Sequence, residues 1–261
     1  MFSYILVEFL FRLTFGVAVA MALTSARLVT SGFFRVHLWV LLGVQTLAAL
    51  ALYSAQPSSA AWVSRGQFWL AVAAAAASYV GAVIWMYERQ LLGKAATTLV
   101  ACCSLAGCCL PVIAIHAKPV AFQLADRVTG GLVLGLVTTA MLLGHWYLNT
   151  PTMKLQPLKR LIVLLAVAVG LRAAVCLAGA LLEAQTHLAS TDISPQTWGL
   201  FLSLRWLSGL AGVLGLAWLA WQTLKIPNTQ SATGILYAGV ILAFIGELTS
   251  QLLSAESLYP V

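Results

Sequence analysis

The chain has 261 residues, of which 61% are hydrophobic and 8% charged, and its mean hydropathy is +0.95. A water-soluble domain carries about 25% charged residues, so this composition excludes a soluble globular fold and implies an integral membrane protein. The net charge of +7 arises from cations placed mostly between apolar segments, where they orient the chain and meet anionic lipid headgroups. No recognition motif points to nucleic acid.

The pattern predicts an all-α, polytopic membrane bundle, one transmembrane domain over 1–261, with eight spans near the length that a bilayer requires. The first, 3–25, opens with MFSYILVEFLFRL. This stretch lacks a basic start and a small-residue cleavage site, so it reads as a retained helix. The second span is 33–53, followed by a turn at Gln56-Pro57-Ser58-Ser59. The third, 67–87, contains an alanine run, Ala73 to Ala77, suited to close helix packing. The fourth, 95–116, carries Pro111, which is expected to kink its last turns. The fifth, 128–148, ends in His145-Trp146-Tyr147, side chains with an apolar body and a polar tip that favour a membrane interface. Asn149-Thr150-Pro151 then stops the helix. The last three spans are 161–182, 198–224 and 234–253.

Orientation follows from the cations. Connections after odd-numbered spans hold Arg27, Arg35, Arg89, Lys94, Lys154, Lys159, Arg160 and Lys225, whereas the alternate ones hold Arg65, Lys118 and Arg127. This asymmetry predicts a multi-pass protein of the cell membrane with both termini outside the cytoplasm.

Five ionisable residues fall inside predicted spans: Glu8, Arg12, Arg172, Arg205 and Glu247. A charge at the bilayer centre costs about 3 kcal/mol on insertion scales, so such groups face the bundle interior and pair. Glu8 and Arg12 are spaced for one helix face, and Glu247 is expected to meet Arg205 or Arg172. One reading is a structural ion-pair network. The sharper one is a polar site in the outer half of the membrane with a spare positive charge, suited to a carboxylate or a quinone headgroup.

The histidines give a second candidate site. His37 and His145 should lie at matching depth below the inner interface, and His116 and His187 toward the outer one. A b-type haem takes one imidazole from each side of its iron. His37 and His145 are the candidate axial metal ligands, with Gly43, Gly131, Gly135 and Gly144 leaving room, and Arg35 and Lys154 placed for propionates. The cytochrome b spacing, two histidines a bilayer apart on one helix, is absent. The cysteines at 102, 103, 108, 109 and 176 match no zinc spacing and read as packing.

Three functions fit these features. The favoured one is a redox subunit binding haem b or quinone within a larger membrane complex, with lipids and other membrane subunits as partners. The alternatives are a small transporter or permease using the polar site, and a structural subunit of a membrane assembly. The chain has no catalytic motif of its own, so any enzymatic role is at most that of a subunit of a membrane oxidoreductase. An echo between Arg12-x3-Gly16 and Arg205-x3-Gly209 falls short of an internal repeat.

Overall fold

The computed structural model describes residues 2–54, 61–115, 118–150, 152–186, 195–226, 228–257 and 259–260. Eight helices in it are long and apolar enough to cross a membrane. They are α1 (Phe2–Leu23), α2 (Ser31–Ser54), α3 (Ala61–Met86), α4 (Gln90–Ile115), α5 (Val120–Asn149), α6 (Gln156–Thr186), α7 and α8 (Thr229–Glu256). Helix α7 spans 195–223 in three stretches: α-helical Pro195–Leu204, π-helical Arg205–Gly212 and α-helical Val213–Thr223. The protein is thus an all-α membrane bundle, and its even number of spans brings both ends of the chain to one side. The turn at 56–59 and the polar connection around 187–194 lie outside the described residues.

The packing divides the helices into two rings of four. In the first, α2 packs on α3, α3 on α4, and α1 closes the ring against α4 and α2. In the second, α5 packs on α6 and α8, while α7 lies against both α6 and α8. The rings meet along α1 and α5, which are apolar and enclosed nearly all round, as befits helices at the centre of a bundle. Glycines set how closely they cross. A Cβ on Gly16 would collide with the Gly131 carbonyl and with Gly135, and one on Gly135 would collide with Gly16. With no side chains between them the two backbones approach to van der Waals contact, the small-residue mode of membrane helix packing.

Backbone groups released inside the bundle are recaptured. Pro111 has no N–H to give to the carbonyl of Gly107, four residues back. The amide of Gln67 on α3 donates to that carbonyl at 2.9 Å. In an apolar medium an unmatched carbonyl is costly, so Gln67 lets the proline remain inside α4. At the far end of α1, the Lys94 ammonium donates to the carbonyls of Met21 (3.1 Å), Ala22 (2.5 Å) and Thr24. A cation there satisfies the orphan acceptors and opposes the negative end of the helix dipole.

Each sequence-predicted span overlaps one of these helices; α3, α4, α6 and α8 start five or six residues earlier than expected, and α5 differs most. Helix α5 begins at Val120, eight residues before the predicted start at 128. Asp126 and Arg127 therefore lie inside the helix, buried, rather than in a connection. Of the alanine run on α3, Ala74 and Ala77 join Ala71, Ser78 and Gly81 on the buried face, whereas Ala73 and Ala76 are exposed.

A buried charge network at the seam between the rings

Glu8 and Asp126 each stand six residues from the start of α1 and α5, about 9 Å along helices that run the same way. This places them at one level where the two helices touch. Around them converge Arg12 from α1, Arg127 from α5, Arg172 from α6, Arg205 from α7 and Glu247 from α8, each less than a tenth exposed. Charges survive at such depth only when paired and hydrogen-bonded.

Arg12 is the hub. Its Nε lies 3.0 Å from Glu8 Oε1, its Nη2 2.9 Å from Asp126 Oδ2, and its Nη1 donates to Glu247 Oε1. One guanidinium thus binds three carboxylates from three helices, a use of the fork that a lysine could not reproduce. Arg172 is the second hub. It donates to Asp126 Oδ1 at 2.6 Å, to the Asp126 carbonyl at 2.6 Å, to Glu247 Oε2 at 3.3 Å and to Ser250 Oγ at 2.9 Å. Arg127 Nε reaches across the seam to Glu8 Oε1 at 2.5 Å. The Cys108 thiol donates to the same oxygen at 3.3 Å. Gly130 supplies the room for Glu247, since a Cβ there would come within 2.7 Å of Oε2.

Arg205 differs from the other arginines. Among the described residues no carboxylate lies within 4 Å of it. Its Nη2 donates to Cys176 Sγ at 2.8 Å, and its Nη1 has no hydrogen-bond partner. Arg127 Nη1 and Glu8 Oε2 are also unpartnered, but both groups already belong to an ion pair. Arg205 opens the π-helical stretch of α7, and the same stretch brings Gly209 against Gly246 of α8. π-Turns of this kind occur preferentially at functional sites. Among the described residues, four buried arginines face three buried carboxylates here, so one positive charge is left over at Arg205.

A cavity of about 20 Å³ lies beside it, lined by Arg172, Arg205, Glu247 and Ser250, by the glycines at 209 and 246, and by apolar groups. A larger apolar groove of about 860 Å³ runs between α6 and α7, lined by residues such as Val163, Val167, Leu214 and Trp218.

The structure joins the five predicted intramembrane charges into one neighbourhood and adds Asp126 and Arg127 to it. Of the two partners expected for Glu247 it pairs with Arg172, it adds Arg12, and it leaves Arg205 apart. It also gives two cysteines polar contacts that a pure packing role does not include. The histidine site is not assembled. His37 is buried, with Nδ1 2.6 Å from the Phe33 carbonyl, its ring against Phe33 and 6.2 Å from Trp146. His145 is exposed and faces Tyr237 of α8, its Nδ1 3.4 Å from the phenol oxygen. With one imidazole packed among aromatic rings and the other turned outward to α8, this pair does not fit the two sides of a haem iron. Arg35 and Lys154 are exposed, and Gly43 faces open space. His116 and His187 lie outside the described residues.

Comparison with protein-family models, with curated proteins and with solved structures gives no match.

Proposed function

We propose that this protein is a small membrane transporter whose polar site is the charge network between its two rings. The observation that carries the reading is the convergence of charged groups from both rings on a single level of their seam. Transporters built from two halves hold their substrate at such an interface and work by rocking one half against the other. The pairs Glu8–Arg127, Arg12–Asp126 and Arg12–Glu247 cross the seam, so a movement of one ring would break and remake them. The excess positive charge favours an anionic solute over a cationic one.

The test is flux in proteoliposomes containing the purified protein, with a panel of small organic and inorganic anions and matched cations. Uptake of an anion that is lost in Arg12→Gln, at undiminished incorporation, supports the reading. Absence of flux for every solute in the panel overturns it.

A second reading, a quinone-binding subunit of a membrane redox complex, draws on the apolar groove between α6 and α7, whose size and lining suit an isoprenoid tail. Copurification of a quinone, and its loss in Val167→Trp, would favour this reading over transport.

A further inference from the structure

The uncompensated charge at Arg205 can be traced to a ligand class, and this step rests on the transport reading. Three observations meet at one point. Arg205 is 2% exposed, and its Nη1 is buried without a partner. Leaving a charged donor unmatched in an apolar interior costs several kcal/mol, so a group that accepts its hydrogen bond is strongly favoured there. The cavity that Arg205 lines holds about 20 Å³, room for one or two water-sized species at about 10–15 Å³ each. Among the described residues the buried charges balance to one excess positive, so a single monovalent anion brings them to neutrality.

The wall chemistry agrees. Ser250 Oγ accepts from Arg172 Nη2, which leaves its hydroxyl proton free to point into the cavity. Gly209 and Gly246 keep the walls thin where the two helices touch. Glu247 also lines the cavity, but its oxygens are engaged by Arg12 and Arg172, which blunts its repulsion of an anion. A carboxylate-bearing metabolite needs more space than the cavity offers, whereas a halide does not.

We infer that the cavity beside Arg205 is a binding site for a small monovalent anion of halide size, held by Arg205 Nη1 and the Ser250 hydroxyl. Cys176 Sγ accepts from Nη2 at 2.8 Å, on the other arm of the same guanidinium.

The experiment uses detergent-purified full-length protein in gluconate buffer, titrated with chloride at constant ionic strength. Thermal unfolding is read alongside quenching of tryptophan fluorescence by iodide, since Trp206 adjoins Arg205 in the chain. The wild type should be stabilised saturably by chloride. Arg205→Gln should lose the saturable response. Ser250→Ala should bind at least about tenfold more weakly, the lower end of the scale of one hydrogen bond to a charged group. Cys176→Ser should keep the response, and Arg205→Lys, which retains the charge, guards against a loss that merely reflects misfolding.

A wild type indifferent to chloride overturns the inference. So does an Arg205→Gln variant that still responds, or a response gained only in Cys176→Ser, which would identify the thiolate as the counter-ion. Chloride binding without flux of any solute would leave this site standing and sink the transport reading. Flux without saturable halide binding would do the reverse.

Discussion

The ring α1–α4 and the ring α5–α8 solve the same packing problem with different polar chemistry. In the first, the buried charges among the described residues, Glu8 and Arg12, sit on α1, and α2–α4 are tied by neutral bonds such as Gln45 to Ser104 (3.4 Å) and Gln67 to the Gly107 carbonyl. In the second, each helix contributes at least one buried charge: Asp126 and Arg127, Arg172, Arg205, and Glu247. Apart from Lys94, which caps the end of α1 from α4, the first ring concentrates its ionic chemistry on α1, which points that face at the neighbour. Helix α1 is therefore a docking element, and the ion pairs bind ring to ring as much as they stabilise either.

The sharpest way to break this contrast is to remove the hub. Arg12→Leu leaves three buried carboxylates without their shared cation and should cost about 3–5 kcal/mol, the scale for stripping one partner from a buried pair. Arg205→Leu should cost little or even stabilise the protein in chloride-free buffer, because it removes a charge that has no carboxylate. Folded yield and thermal midpoint of the two variants check this, and equal losses would refute the separate roles given to the two arginines.

Next in size is the glycine crossing. Gly16→Leu must push α1 away from α5 and should cost at least about 1–3 kcal/mol, the range for overpacking. If the halves 1–117 and 118–261 are coexpressed as separate chains, they should copurify, and Gly16→Leu should abolish the association while each half remains in the membrane.

A smaller effect is expected within the first ring. Gln67→Leu orphans the Gly107 carbonyl and should cost about 1–3 kcal/mol. Pro111→Ala restores the helical N–H and should make the same substitution nearly neutral. A double variant as unstable as Gln67→Leu would show that the amide serves something other than the proline.

The smallest effect falls on the histidine that faces outward. His145→Ala should stay within about 0.5 kcal/mol of the wild type, as exposed positions usually do. A large loss of stability or of a haem absorption band would reopen the haem reading.

Length and hydropathy made the eight spans legible because a bilayer imposes its thickness on every one of them. The charge network was half legible. Glu8, Arg12, Arg172, Arg205 and Glu247 stand out inside apolar runs, but Asp126 and Arg127 sit at the edge of theirs, and adjacent opposite charges look like a connection. A signal was present: three cations and two anions within the spans called for a further acid, and Asp126 lies just before the fifth. The Glu8–Arg12 pair was legible from its i,i+4 spacing and Arg172 was one of the two partners expected for Glu247, but the pairs across the seam were not legible, because they depend on α1 lying against α5, and glycine spacing does not say which helices it joins. The correction also sharpens topology. With Arg127 withdrawn into α5, eight cations at one end face Arg65 and Lys118 at the other. On this basis we propose that both termini lie outside the cytoplasm.

Arg12 also has to wait for its partners. It leaves the ribosome with Glu8 for company, but Glu247 follows 235 residues later. At about 5–20 residues per second of synthesis, the interval is on the order of 10–50 s. During that time a helix designed for the centre of the bundle stands at its periphery, its guanidinium only partly neutralised. Helix α8 is thus required to complete α1, and truncation after α7 should leave α1 as the segment most exposed to quality control.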